Sequence, residues 1–133
     1  MQQFRAWAAH KAGAALERMD YDPGPLQGED VEIAVEHCGI CHSDLAMIDS
    51  EWFPASYPVV PGHEVIGTIV AVGPHCKGRS VGQRVGLGWH SHSCCHGHSC
   101  LGGEQNLCAK RQPTIVGRHG GFAGRAPNQS PLD

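Results

Sequence analysis

The chain has 133 residues, 41% hydrophobic and 17% charged, with a net charge of −3 when histidine is neutral. That length suits one domain with a core and is short for a catalytic domain plus an ordinary nucleotide-binding domain. The balance excludes a disordered chain and a basic nucleic-acid footprint, and no apolar run reaches the ~20 residues of a membrane span.

With 18 glycines and 9 prolines, frequent turns and short strands are expected. Phe4 to Ala9 and Ala15 to Tyr21 read as the arms of a first hairpin, and Tyr21-Asp22-Pro23-Gly24-Pro25 as a turn. Val31 to Glu36 alternates apolar and polar residues, the period of a half-buried strand. Ser43 to Asp49 fits a short helix with Ser43 or Asp44 near its start. Ser50 to Pro61 reads as a loop. Val65 to Val72 is a β-branched strand, bent at Gly67, and Val85 to Trp89 is another. Trp89 to Cys108 has no hydrophobic period and reads as a lobe that a ligand must organise. After Ala123 the polar, Pro-bearing stretch 124–133 is expected to trail loosely.

Met1-Gln2-Gln3-Phe4-Arg5 lacks the order of a signal peptide, so a cytoplasmic protein is expected, without membrane or nucleic-acid partners. That compartment disfavours disulfides. Seven cysteines and ten histidines then point to metal, although Cys38 and Cys76 read equally well as small buried hydrophobes.

Two segments carry the first constellation: Cys38-Gly39-Ile40-Cys41-His42-Ser43-Asp44 and Pro61-Gly62-His63-Glu64-Val65-Ile66-Gly67. Thiolate and imidazole are natural zinc ligands, and a catalytic zinc keeps one position open. The Cys38/Cys41 pair alone is a weak signal; the Gly-His-Glu segment strengthens it. Together with Gly73 and Cys76, these segments resemble the zinc-containing medium-chain alcohol dehydrogenases, in their cinnamyl-alcohol-dehydrogenase-like branch, from about Val31 to Ala123.

The resemblance implies a mainly β fold: a GroES-like, partly open β-barrel over residues 1–123, with a short helix and a Cys/His zinc lobe. It implies Cys41 and His63 as ligands of a catalytic zinc, with Glu64 beside the metal as an alternate ligand. Ser43 would take the alcohol proton, and His42 would extend the relay or touch cofactor phosphates. Asp44 would hydrogen-bond His63, and Trp52 would line the substrate pocket. Other readings stay open: His42 as an exposed polar residue, Ser43 as a helix cap, Trp52 as core. The implied chemistry is zinc-dependent oxidation of a small alcohol or reduction of an aldehyde with NAD or NADP, and a homo-oligomer is compatible with the resemblance. The family's third ligand, a cysteine further along, has no counterpart between Lys110 and Asp133.

The lobe holds four cysteines and four histidines between His90 and Cys108. The family's structural zinc uses the spacing C-x2-C-x2-C-x7-C. Cys94, Cys100 and Cys108 fit the first, third and fourth places, but the second falls on Gly97, which offers no ligand atom. Cys95, His96 or His98 would have to supply the fourth ligand; a weaker three-ligand site or a degraded one are the alternatives.

No G-x-G-x-x-G fingerprint opens a helix; Gly86-Leu87-Gly88-Trp89-His90-Ser91 reads as a strand end. The nucleotide-binding domain is therefore expected to lie outside this chain, which alone would turn over little or nothing. A non-catalytic zinc-binding module and a zinc-free quinone-reductase-like relative compete with the enzyme reading. Cys41 and His63 argue against the latter.

Overall fold

The computed structural model describes residues 3–52, 54–92, 96–117 and 119–129. The strands among them are β1 (Phe4–Ala8), β2 (Glu17–Tyr21), β3 (Asp30–Cys38), β4 (Val65–Val72), β5 (Arg84–Leu87), β6 (His90–His92), β7 (Gln112–Pro113) and β8 (Arg125–Gln129). Helix α1 (His42–Ile48) and the single turns α2 (His98–Leu101) and α3 (Thr114–Gly117) interrupt them. No described helix is long and apolar enough to cross a membrane.

The expected hairpin is present, with β1 antiparallel to β2 from Phe4 opposite Tyr21 to Ala8 opposite Glu17. Phe4, Ala6 and Ala8 are buried while Arg5 and Trp7 face out, the two-residue period of a strand with one wet face. A second sheet has the order β5-β4-β3-β8. The β3–β4 register shifts between Val35 and His37, opposite Gly67 and Ile66. A Cβ at Gly67 would meet the Ala34 carbonyl and the Ile33 side chain. The irregularity expected in β4 is thus a bulge in its partner strand, with glycine allowing the close approach.

Val31, Ile33, Val65, Ile69 and Leu87 form the core under this sheet, with Cys38 and Cys76 packed against it. Burying each large aliphatic side chain contributes about 1.5–3 kcal/mol. The sheets join at 122–124. The Trp7 amide donates to the Phe122 carbonyl, the Gly124 amide to Arg5, and the Val35 amide to Gly124. The result is the mainly β, partly open barrel that the sequence implies, since the sheets do not close.

One expectation is corrected. Residues 125–129, expected to trail loosely, form β8, paired with β3 from Asp30 opposite Gln129 to Ala34 opposite Arg125. The strand is held through its backbone at a sheet edge, where a proline such as Pro127 is tolerated. Hydrophobic patterning therefore does not reveal it. Arg125 adds an ion pair, Nη1 lying 2.6 Å from the Oε1 of the buried Glu32.

The Tyr21 hydroxyl is buried without a hydrogen-bond partner among the described residues. Burial, reinforced by the nearby Glu32 carboxylate, raises its pKa well above the usual range. Tyr21→Phe removes a desolvated group that gains nothing in return, so stability should be unchanged or up to about 1 kcal/mol higher. A urea midpoint that falls clearly in this variant would contradict the assignment.

The His119 ring lies 4.2 Å from the Tyr21 ring, centroid to centroid. Burial lowers the His119 pKa; His90 is lowered too, by burial and then by Arg111. Folded protein therefore binds these protons less readily than the unfolded chain. This contribution is fully present above the ordinary histidine pKa of about 6.5 and is lost as pH falls toward the lower folded values. The urea midpoint should drop between about pH 7.5 and about pH 5.5, less steeply in His119→Phe. An equal slope in that variant would remove His119 as a cause.

Candidate metal centre

Strand β3 ends at Cys38, and Gly39-Ile40 lead into α1, whose N-cap is Cys41. With φ −121° and ψ 152°, Cys41 is still extended while the next residue is helical. Ser43 and Asp44 follow as the second and third helical residues. Asp44 Oδ2 accepts a hydrogen bond from the Cys41 amide at 3.0 Å, tying the first turn back to its own start.

Asp44 is 3% exposed and joins the two motif segments. Its Oδ1 accepts from the Gly62 amide at 2.9 Å and lies 3.1 Å from His63 Nδ1. A carboxylate can only accept at neutral pH, so the His63 proton belongs on Nδ1 and the Nε2 lone pair is left for a ligand. Glu64 stands just before β4, and its carbonyl accepts from the Gly39 amide at 2.9 Å. Cys41 Sγ, a His63 ring nitrogen and a Glu64 carboxylate oxygen all lie within 4.8 Å of one another. One thiolate, one imidazole and one carboxylate form a donor set suited to zinc, and a tetrahedral ion would keep a fourth position open.

Cys38 stands outside this set. Burial pushes its thiol pKa up, opposed by a hydrogen bond from the Glu64 backbone and reinforced by the Asp44 and Glu64 charges. Its sulfur also packs into the core, in line with the small-hydrophobe reading. His42 is exposed and Ser43 half-buried. Both sit on the first turn of α1, but no hydrogen bond links them to each other.

Trp52 is 54% exposed, its ring 6.3 Å from that of Trp89, which in turn lies edge-on to His63 at 5.0 Å. Trp89 is the site residue that sequence reasoning missed. It follows β5 outside any motif, and its only signal is an aromatic residue at the start of the Cys/His lobe.

Cys94 and Cys95 lie outside the described residues. Cys100 and Cys108 are buried, whereas His96 and His98 are exposed. A cleft of about 300 Å³ runs between them, lined also by Lys110. Among the described residues, the Cys41, His63 and Glu64 donors form the one three-ligand group. Turn α2 and a 3-10 turn at Gln105–Leu107 order this part of the lobe, through local bonds such as Arg111 Nη1 to the Cys108 carbonyl at 2.9 Å.

Comparison with known proteins identifies the family. Residues 27–127 match the family described as "Alcohol dehydrogenase GroES-like domain". The aldehyde reductase AdhA of Synechocystis sp. is 53% identical over 121 residues, covering 91% of this chain and 36% of that protein. A cinnamyl alcohol dehydrogenase structure from Sorghum bicolor superimposes with a TM-score of 0.89 at 34% identity, covering 98% of this chain and 40% of that one. A CAD from Helicobacter pylori complexed with NADP(H) gives 0.91 at 27% identity, with the same coverage of both chains. The chain thus spans little more than a third of the length of these relatives. The match runs from before β3 into β8 and takes in both motif segments and the lobe, so the chain belongs to the alcohol dehydrogenase GroES-like domain family.

Proposed function

We propose that this chain is the zinc-holding catalytic part of an oxidoreductase that interconverts alcohols and aldehydes with NAD(P). The observation that carries this reading is the meeting of Cys41, His63 and Glu64, with Asp44 on the far side of the His63 imidazole. The named activities of the relatives, aldehyde reductase and cinnamyl alcohol dehydrogenase, support it.

Zinc held by Cys41, His63 and Glu64 would supply Lewis acidity toward a substrate oxygen, and a nicotinamide would supply hydride chemistry. Asp44 holds the His63 proton on Nδ1 and fixes the ring. Ser43 Oγ takes the hydroxyl proton during oxidation and returns it during reduction, and His42 passes it to water or meets cofactor phosphate. Trp52 and Trp89 form an apolar wall that excludes water and favours an apolar or aromatic substrate. Glu64, the exposed member, is the ligand most easily released.

The lobe belongs to the same reading. Cys94, Cys100 and Cys108, with Cys95 or His98 as the fourth ligand, would hold a structural zinc whose binding adds folding free energy to a segment with little core. A reducing cytoplasm would keep these thiols available to metal.

A graft tests the function. Placed in the Synechocystis aldehyde reductase in exchange for its matching third, the chain should reduce an aromatic aldehyde with NADPH. His63→Ala in the graft should abolish turnover, and so should a zinc chelator. A folded, zinc-loaded graft without turnover would favour a metal-binding module.

A further inference from the structure

The two ligand-bearing segments converge on a residue far downstream of both. Gly120 and Gly121 are buried and run backbone to backbone beneath the loop that carries His63. The Gly120 amide donates to the Val60 carbonyl at 2.8 Å, Gly121 to Gly62 at 2.9 Å and Phe122 to Pro61 at 2.9 Å. Gly62 has a φ of +105°, and a Cβ there would stand 2.8 Å from Cys38 Sγ and 2.9 Å from the Gly121 amide nitrogen. A Cβ at Gly121 would strike the Val65 side chain and lie 3.1 Å from Cys38 Sγ. Cys38 opens the turn that delivers Cys41, and Val65 directly follows His63-Glu64. Gly121 is therefore the common neighbour of both segments.

We propose that Gly121 is a positioning residue of the metal centre. Lacking a side chain, it lets the Cys38–Cys41 turn and the Gly62–Val65 segment close to the separation at which Cys41, His63 and Glu64 face one ion. It touches neither metal nor substrate and acts through Cys38 and Val65. The proposal rests on the metal reading given above. Gly120 has no comparable freedom to be tested, because a Cβ there meets the carbonyl oxygens of Pro61 and Gly62, which cannot be trimmed. The obstacle at Gly121 is a side chain that can be.

The test compares the 133-residue chain with Gly121→Ala, Val65→Ala and the double variant. Zinc affinity is measured by competition with a chromophoric chelator. Cadmium-113 NMR separates a site with one thiolate from the thiolate-rich lobe. Gly121→Ala should lower affinity at the Cys41 site by about 10- to 100-fold, the usual effect of disturbing a group that orients a ligand, and leave the lobe signal in place. Trimming Val65 in the same chain should restore most of the loss. A purely structural role would lower the melting temperature without moving the affinity or the cadmium shift.

A folded Gly121→Ala chain that binds zinc like its parent would overturn the proposal. A double variant that fails to fold, or folds without regaining affinity, would do the same. If the parent chain binds no metal, the functional reading fails instead, and the His63 Nδ1 proton resonance decides this inference. Shifted in Gly121→Ala and recovered in the double variant, it supports positioning; unmoved, it contradicts it.

Discussion

Cys41→Ser should abolish zinc binding at the first site while leaving the apo fold intact. The affinity loss should reach at least about 100-fold, equivalent to about 2.8 kcal/mol. A thiolate is a far better zinc donor than a neutral hydroxyl. Cys41 also caps α1, and serine is among the preferred N-cap residues, so the helix should start as well or better. Metal affinity and apo stability should therefore part company in this variant. Zinc titration with a competing chelator and a urea melt of the metal-free chain read the two quantities separately. Equal zinc affinity in parent and variant would remove Cys41 from the site.

Asp44→Ala should be among the most destabilising single changes outside the apolar core, costing about 3 kcal/mol or more, a large share of a typical 5–15 kcal/mol. Three groups depend on this carboxylate: the Cys41 amide, the Gly62 amide and His63 Nδ1. Asp44 is 3% exposed, so water cannot readily replace the lost acceptor, and each unpaired buried N–H carries its own desolvation cost of about 1–3 kcal/mol. Asp44→Asn keeps one acceptor oxygen but turns an amide toward donors, and should fall between alanine and the parent. Nitrogen-15 NMR of His63 adds a second readout, because the Nδ1-protonated form should lose its dominance in Asp44→Ala. A stability change below about 1 kcal/mol would show that the network does not hold the two segments together.

The metal segments were legible because their meaning is local. Cys41 and Asp44 are three residues apart, so one helical turn places them together, and His63-Glu64 sits between a turn and a β-branched strand. Strand β4 was legible for the same reason. Strand β8 was not: Arg125 to Gln129 bonds through its backbone at a sheet edge, which leaves no apolar period to read. The inert role of Cys38 depends on packing around Gly62 and Gly121, over 20 and 80 residues away, so its spacing to Cys41 suggested a pair that the fold does not form. Trp89 entered the site through tertiary contact with His63. At Gly121 the contribution comes from the lack of a side chain, which no residue pattern records. In the lobe, Gly97 marks the departure from the family spacing, and Cys94 and Cys95 lie outside the described residues.

The most direct test of the metal centre is cadmium-113 NMR of the reconstituted chain with nitrogen-15-labelled histidine. Cys41, His63 and Glu64 holding one ion through Nε2, with Asp44 on Nδ1, should give a cadmium resonance coupled to His63 Nε2, absent from Cys41→Ser. A spectrum showing only lobe-bound cadmium, or coupling through His63 Nδ1, would contradict the site.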